Sequence, residues 1–236
     1  MPDLTFASLA SSSKGNAYVV SDGETTLLLE CGLTFKELQK RLGYHMADLT
    51  ACLVSHEHQD HAKAAPQMLK RGVPMYMSYG TAISHKEPMD GVHLIKAGDR
   101  IPFGAMTVVP FRVFHNTEEP LGFLIEDGRT GERLLFAIDT ANLHVVADRL
   151  TYIAVECNYE EALLSRSDRM LSLMKERVRR SHFEIDRVIR WLHKQDLSGV
   201  LTIYLLHLSA GHSRAAAWDA RFRREFPGIN IVICKE

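Results

Sequence analysis

Short apolar runs separated by turn-forming residues dominate the chain, and a few longer stretches carry apolar residues at helical spacing. The short runs predict strands at 4–9, 17–21, 25–30, 49–54, 93–95, 105–113, 121–125, 134–138, 152–156, 200–206 and 229–233. The helical spacing predicts helices over 35–42, 62–71, 167–179, 185–194 and 215–226. Thr34 is a candidate N-cap and Gly72 a stop signal. This order of elements, in two strand-rich halves, predicts an α/β architecture of two sheets between helices.

The composition is that of an ordinary globular protein, with 46% hydrophobic and 24% charged residues in 236. Such a length allows a large core, and we expect one hydrolase domain over residues 1–236. The formal net charge of −1 excludes a globally basic nucleic-acid binder. Four widely spaced cysteines exclude a CxxC zinc ribbon and argue against a disulfide framework. No signal peptide or membrane span is visible, so we expect a cytoplasmic protein without a membrane partner, either bacterial or encoded by a bacteriophage.

Twelve histidines stand out in this composition, and three of them fall within six residues. They lie in the stretch Ser55-His56-Glu57-His58-Gln59-Asp60-His61, between a predicted strand and a predicted helix. On extended backbone His56 and His58 point the same way, and Asp60 and His61 lie where the chain turns into the helix. Imidazole nitrogens and carboxylate oxygens are ligands that Zn²⁺, Mn²⁺ and Fe²⁺ accept. The alternative is a solvated polar loop with coincidental histidines.

The HxHxDH string resembles the metallo-β-lactamase superfamily. The resemblance implies a four-layer αββα sandwich with a metal site at the edge of its two sheets. It also implies three later ligands: a lone histidine, a bridging aspartate and a final histidine. One candidate for each follows an apolar predicted strand, namely His115, Asp139 and His207. Taken alone, each also fits a loop histidine or a strand-end turn former.

On this resemblance we expect two divalent metal ions as cofactors. The first ion is assigned to His56, His58 and His115, the second to Asp60, His61 and His207, and Asp139 bridges them. Ions about 3.5–4 Å apart can share a hydroxide, which is then the nucleophile. Asp60 is therefore also a candidate catalytic residue. The donors are nitrogen and oxygen only, which suits Zn²⁺ or Mn²⁺ and also Fe²⁺.

Four further segments resemble the WalJ (YycJ) branch of that superfamily, whose members are described as DNA exonucleases. The segments are residues 9–16, 28–33, 156–159 and 207–209, with 181–183 a further match. Four positions depart from the pattern of the branch: Glu30 and Asn116 replace Asp, Tyr159 replaces His, and Phe183 replaces Leu. The carboxylate at position 30 is expected to support the metal loop, and Glu30 is one methylene longer than the usual Asp. The resemblance implies DNA as the substrate.

Local charge partly supports a nucleic-acid substrate. Residues 165–194 contain nine basic and four acidic side chains, a net charge of +5. The basic ones are Arg166, Arg169, Lys175, Arg177, Arg179, Arg180, Arg187, Arg190 and Lys194. A local basic face suits phosphate contacts, but a solvated amphipathic helix with internal ion pairs fits equally well.

Several polar residues outside the ligand set are candidates for substrate work. The turn 11–16 suits a phosphate held by backbone N–H groups and equally a plain inter-strand turn. Asn158 and His182 are candidate catalytic residues that position a scissile phosphate or protonate the leaving 3′ oxygen. His212 is another candidate, although Ser213 beside it fits an N-cap.

Three functions remain open on the sequence. The leading one is a metal-dependent phosphodiesterase acting on DNA, a 5′ exonuclease using a dinuclear metal-bound hydroxide. The second is a small-molecule hydrolase of the same fold, such as a lactonase, thioesterase or cyclic-nucleotide phosphodiesterase, which predicts a closed, apolar pocket. The third is a non-catalytic, metal-stabilised binding module, although such a site closes its shell with about four ligands around one ion.

Overall fold

The structure is a computed structural model that describes residues 4–84, 91–168 and 170–235. Its thirteen described strands form two sheets, one of six strands and one of seven. The first sheet contains β1 (Thr5–Ser12), β2 (Gly15–Ser21), β3 (Thr26–Leu29), β4 (Ala51–Leu53), β5 (Met75–Met77) and β6 (Val92–Leu94), in that order. β1 to β3 are antiparallel, and β3 to β6 are parallel.

The second sheet contains the remaining strands in reverse chain order. They are β7 (Ile101–Phe103), β8 (Met106–Arg112), β9 (Leu121–Asp127), β10 (Arg133–Ala137), β11 (Tyr152–Glu156), β12 (Thr202–Leu206) and β13 (Asn230–Ile233). β7 to β10 are antiparallel, and β10 to β13 are parallel. The carboxyl ends of β10, β11 and β12 therefore lie at one edge of the sheet.

The eight described α-helices are mostly short. They are α1 (Phe35–Arg41), α2 (Gln59–Ala62), α3 (Ala65–Lys70), α4 (Tyr79–Ile83), α5 (Glu161–Arg166), α6 (Ser172–Ser181), α7 (Ile185–Leu192) and α8 (Ala215–Glu225). A 3-10 turn spans Met46–Asp48. None of the helices in the described ranges is long and apolar enough to cross a membrane.

Three hydrophobic clusters define four layers. The central cluster joins inward residues of both sheets, such as Leu27 and Leu29 of β3 and Phe136 of β10. Side chains alternate along a strand, so Leu28 faces the other way and packs with α1 and α3. On the far side, Leu135 of β10 belongs to a cluster with residues of α7 and α8. This layering is the predicted αββα sandwich.

The predicted elements differ from the observed ones in a few places. The predicted helix 62–71 corresponds to α3, and α2 begins earlier than predicted and shares only Ala62 with that range. The two helices are not continuous, and Pro66 in the first turn of α3 lacks the N–H that a continuous helix needs. The predicted helix 167–179 is wrong at its start: α5 ends at Arg166 and α6 begins at Ser172, and Arg169 lies outside the described residues. β5, β7, α4 and α5 were not predicted; β5 and β7 have three residues each, too few for a periodic signal.

Candidate metal centre

Strand ends from both sheets converge on one cluster of polar residues. In the second sheet, Asp139 follows β10, Glu156 ends β11 and His207 follows β12; the register pairs Glu156 with Leu206, next to His207. In the first sheet, β3 and β4 are parallel, so Glu30 and the loop that begins at Ser55 leave the sheet together. The side chains that carry candidate chemistry therefore meet at the shared edge of the two sheets.

The loop 55–61 is held against the exit of β3. The Cys31 N–H donates to the His61 carbonyl at 2.7 Å, and the Ala64 N–H donates to the Cys31 carbonyl at 2.9 Å. Gly32 is required here, since a Cβ at this position would lie 1.7 Å from the Asp60 carbonyl oxygen. This close approach fixes the start of α2, which carries Asp60 and His61.

His56, His58 and His115 form the first group, which we call the three-histidine group. Nε2 of His56 lies 3.2 Å from Nδ1 of His58, and Nε2 of His115 lies 3.1 Å from the same atom. An oxygen of Asp139 lies 3.7 Å from His56 Nε2 and 3.6 Å from His115 Nε2. One ligand atom from each of these four residues lies within 4.8 Å of the others.

Asp60, His61 and His207 form the second group, which we call the mixed group. Asp60 Oδ2 lies 3.6 Å from His61 Nε2 and 3.7 Å from His207 Nε2. Asp139 contacts both histidines, at 3.3 Å from His61 Nε2 and 2.8 Å from His207 Nδ1. One ligand atom from each of Asp60, His61, Asp139 and His207 lies within 4.8 Å of the others. The structure therefore brings all seven predicted ligands together in the two expected groups, with Asp139 in both.

Backbone strain is concentrated at this centre. Glu30, Asp139 and His207 have φ angles of +65°, +45° and +53°, in the left-handed region that non-glycine residues rarely adopt. Each comes directly after a strand or within two residues of its end. Such conformations cost about 1–3 kcal/mol each and persist where the surroundings require them. Here they turn three side chains toward the common site.

The donor sets fit divalent cations. Burial lowers the pKa of His56, His58 and His115, which favours the neutral imidazole that a metal ligand must be. In the mixed group, Nε2 of His207 is buried and has no hydrogen-bond partner among the described residues. A buried polar atom without a partner is costly, and a bound cation satisfies it.

The carboxylates give the mixed group a different electrostatic state. Burial alone would lower the pKa of His61 and His207, but the neighbouring carboxylates, Asp139 first among them, raise the pKa of both. Burial alone would raise the pKa of Asp139, but His207 and His61 hold it well below its ordinary value. The imidazoles and carboxylates of the mixed group therefore favour each other's charged forms.

Hydrogen bonds at the outer ring nitrogens orient the histidines. His115 Nδ1 lies 2.8 Å from the carbonyl oxygen of Ser181, and His56 Nδ1 lies 2.8 Å from Ser55 Oγ. A carbonyl only accepts, so it fixes the N–H on Nδ1 of His115 and leaves Nε2 for a ligand. His61 Nδ1 lies 3.2 Å from Glu30 Oε2, and Glu30 also accepts the Ser55 N–H at 3.1 Å. Glu30 thus supports the loop 55–61, although its side chain is one methylene longer than that of the usual Asp.

Sequence reasoning missed Glu156 as a site residue. Its Oε1 lies 2.6 Å from His182 Nδ1 and 3.2 Å from His207 Nδ1, and its Oε2 accepts the N–H groups of Thr140 and Phe183. Asp139, Glu156, His182 and His207 form a third group with metal-ligand spacing. The available signal was a glutamate at the end of the apolar predicted strand 152–156, where the structure buries it fully.

The other candidate residues take different positions. The Asn158 amide donates to the His207 carbonyl at 2.8 Å, so it holds the backbone that carries His207. Asn16 Nδ2 lies 3.1 Å from the Asp60 carbonyl oxygen, at the end of a tight hairpin turn between β1 and β2. His212 lies in none of the three groups, and the N-cap of α8 is Arg214 rather than the predicted Ser213. Ser213 Oγ instead donates to the Ser209 carbonyl.

The centre opens on a cavity of about 290 Å³ whose ten lining residues are all polar or charged. They are Ser13, His58, Gln59, Asp60, His115, Asn116, Asp139, Arg177, His182 and His207. Burial alone would lower the pKa of His182 in this wall, but Glu156 and Asp139 raise it. A larger cavity of about 600 Å³ adjoins it through His115 and is lined by the exposed rings of Tyr79 and Phe114.

The family of the chain follows from comparison with known proteins. A family model described as the β-lactamase superfamily domain matches residues 25–207. The metallo-β-lactamase fold protein YhfI from Bacillus subtilis is 16% identical, with a TM-score of 0.75 over 99% of this chain and 96% of that one. The chain belongs to the β-lactamase superfamily and has the metallo-β-lactamase fold. It is an enzyme, a hydrolase of that superfamily.

Sequence relatives confirm the resemblance to the WalJ (YycJ) branch. The exodeoxyribonuclease YycJ of Bacillus anthracis is 27% identical, and the match covers 84% of this chain and 89% of the relative. The exodeoxyribonuclease WalJ of Streptococcus pneumoniae serotype 2 is 25% identical, over 73% of this chain and 69% of the relative.

Proposed function

We propose that this chain is a metal-dependent phosphodiesterase that acts on DNA as a 5′ exonuclease and holds two divalent ions. The observation that carries the proposal is the pair of ligand groups that share Asp139 beside an open, polar cavity. The three-histidine group would hold one ion and the mixed group the other. Two relatives named as exodeoxyribonucleases support DNA as the substrate.

Bound ions would polarise a phosphoryl oxygen and activate water at neutral pH. The nitrogen and oxygen donors suit Zn²⁺ and Mn²⁺, and also Fe²⁺. Asp60 lines the cavity, and its side chain is 24% exposed and lies beside both histidines of the mixed group. We therefore propose that Asp60 orients the attacking water.

His182 is the proposed proton donor to the leaving 3′ oxygen. Its Nδ1 is 2.6 Å from Glu156 Oε1, which fixes the ring and leaves Nε2 for substrate, and the residue lines the cavity. For Asn158 we propose a positioning role, because its amide is engaged by the His207 carbonyl.

The lining of the cavity and the number of ligand groups bear on the two other functions that the sequence left open. A small-molecule hydrolase predicts a closed, apolar pocket, whereas the ten residues that line the cavity at the centre are all polar or charged. A metal-stabilised binding module needs one closed set of about four ligands, whereas the seven residues here form two groups around a shared carboxylate. Both observations favour a catalytic centre for a charged, extended substrate.

Digestion of 5′-labelled and 3′-labelled DNA, with Mn²⁺, Mg²⁺ or Zn²⁺ added, tests the proposal. We expect release of short labelled products from the 5′-labelled strand from the first time points, and loss of all cleavage for Asp60→Ala. Lys36→Gln on α1 is a control that should cleave at the wild-type rate. Cleavage in excess chelator, or hydrolysis of lactones and thioesters without cleavage of DNA, would contradict the proposal.

A further inference from the structure

A second polar cavity lies along α7, outside the metal centre. Arg187, Arg190 and Lys194 are spaced three and four residues apart, so they occupy one exposed face of the helix end. With Asn142, Leu143 and Trp191 they line a cavity of about 260 Å³. Three cations converge here around a space large enough for a phosphate group.

The charge of these three side chains is not neutralised by ion pairs. Elsewhere in the basic segment, Arg179 pairs with Glu161 at 2.6 Å and Arg180 with Glu176 at 2.8 Å. Within residues 4–84, 91–168 and 170–235, no carboxylate pairs with Arg187, Arg190 or Lys194, and Arg187 reaches only the Ala141 carbonyl, at 3.5 Å. In the described residues, the structure thus pairs Arg179 and Arg180 of α6 with glutamates, whereas Arg187, Arg190 and Lys194, on α7 and just beyond its end, form no ion pair.

The cavity is built on rigid parts of the fold. Trp191 is buried, and its Nε1–H donates to the Val145 carbonyl at 3.0 Å. Gln195 donates to the same carbonyl at 3.4 Å and accepts the Ala147 N–H at 3.3 Å. These bonds hold the loop that carries Asn142 against α7, so the cations project from a fixed wall.

The cavity lies close to the metal centre along the chain. Asn142 is three residues from Asp139, which limits the distance between their Cα atoms to about 11 Å. This bound places the rim of the cavity at Asn142 within a few nucleotides of the centre, at about 3.4 Å of rise per nucleotide in one strand. Phe183, just before α7, donates its N–H to Glu156 at 3.1 Å, so the helix is also tied to the centre.

We propose that Arg187, Arg190 and Lys194 form a subsite for a backbone phosphate of the substrate strand, away from the scissile phosphate. This inference rests on the proposed function. Arginine guanidinium groups bind phosphate oxygens in pairs, and a lysine adds a third charge without demanding a fixed geometry. The subsite would hold the strand in register with the metal centre without reading its sequence.

The test compares two triple variants with equal loss of charge. One carries Arg187→Gln, Arg190→Gln and Lys194→Gln; the control carries Lys36→Gln, Lys40→Gln and Lys96→Gln, at exposed positions of the other half of the fold. Each is assayed with a labelled 12-nucleotide strand and with bis(p-nitrophenyl) phosphate, which is too small to reach the cavity. DNA affinity is measured separately by fluorescence anisotropy in the Asp60→Ala background.

We expect the α7 triple variant to raise KM for the 12-mer at least tenfold and to leave hydrolysis of bis(p-nitrophenyl) phosphate within twofold of wild type. The slope of log affinity against log salt should fall by about 0.7 to 0.9 for each phosphate that the α7 variant no longer neutralises. The control variant should change KM for DNA less than threefold.

Three outcomes of the variant comparison would overturn the inference. The first is an α7 variant whose KM for DNA equals that of the wild type, whether or not its affinity for inorganic phosphate falls. The second is an equal loss in both triple variants, which would reflect overall charge. The third is an equal loss with both substrates, which would reflect a damaged centre.

If the wild type hydrolyses bis(p-nitrophenyl) phosphate but neither cleaves nor binds DNA, the proposed function fails, and the subsite fails with it. If the wild-type protein binds DNA without cleaving it, and only the α7 variant binds DNA more weakly, the exonuclease assignment is overturned and the phosphate subsite is retained.

Discussion

The three-histidine group and the mixed group share Asp139, but different partners hold them in place. A backbone carbonyl and a hydroxyl support the three-histidine group, through Ser181 and Ser55. Two buried carboxylates support the mixed group: Glu30 lies 3.2 Å from His61, and Glu156 lies 3.2 Å from His207. One half of the centre is therefore oriented by neutral dipoles and the other by charge.

This difference determines what each group holds in the absence of a cation. Burial lowers the pKa of His56, His58 and His115, which favours the neutral form of their rings. Neighbouring carboxylates outweigh burial and raise the pKa of His61 and His207, so protons compete for these rings. If each group holds a cation, the three-histidine group would bind it without releasing protons, whereas the mixed group would release protons on binding.

The largest expected effect is the loss of both sites when their shared ligand is removed. Asp139→Asn removes the carboxylate common to all three groups, so we expect fewer than one metal ion per chain and loss of activity beyond the roughly 10–100-fold typical of outer partners. Metal content by mass spectrometry and kcat/KM for DNA measure this. Asp127→Asn, a buried carboxylate beside Arg129, is the matched control and should retain two ions. Two ions and full activity in Asp139→Asn would show that the groups are independent.

A smaller, one-sided effect is expected at Glu30. Glu30→Gln removes the charge that supports His61, and we expect metal affinity of the mixed group to fall about 10–100-fold, with the three-histidine group unchanged. Titration of the metal-free protein with Mn²⁺ or Zn²⁺ by calorimetry separates the two affinities. Glu37→Gln, at the surface of α1, is the control. An equal fall at both sites would contradict the division of the centre into two halves.

The local part of the centre could be predicted from the sequence. His56, His58 and His61 lie within six residues, so one short segment of the sequence is enough to predict a metal site. The resemblance to the metallo-β-lactamase superfamily implied the later ligands, and His115 and Asp139 were the candidates because each follows an apolar predicted strand. The layered fold followed from the order of strands and helices.

The remaining part depends on distant contacts that no local pattern encodes. Glu156 lies 26 residues from His182 and 51 from His207, and the parallel register of β11 and β12 brings these side chains together. The role of Asn158 was predicted at the substrate, but its amide faces the His207 backbone. The basic segment shows the same limit, since only the structure reveals that Arg179 and Arg180 are paired with glutamates.

The pH dependence of metal binding should separate the two groups further. In the mixed group the raised pKa values mean that protons occupy the rings below those values, so affinity should rise with pH by about tenfold per unit for each proton displaced. The three-histidine group has lowered pKa values and is already neutral above its ordinary 6.5, so its affinity should be flat from there upward. Calorimetric titrations between pH 6 and 8 measure both slopes, and equal slopes would contradict the assignment of charge.

The smallest expected effect concerns the hydroxyl beside the three-histidine group. If Nε2 of His56 binds the cation, its Nδ1–H donates to Ser55 Oγ, 2.8 Å away. Ser55→Ala removes one neutral hydrogen bond, worth about 1 kcal/mol, so the affinity of this group should fall about fivefold while the mixed group is unchanged. Ser198→Ala, the same substitution on an exposed turn, is the control for the calorimetric titration. If Ser55→Ala lowers metal affinity as much as Glu30→Gln does, a hydroxyl orients a ligand as strongly as a buried carboxylate. The three-histidine group and the mixed group would then differ only in how readily their rings are protonated.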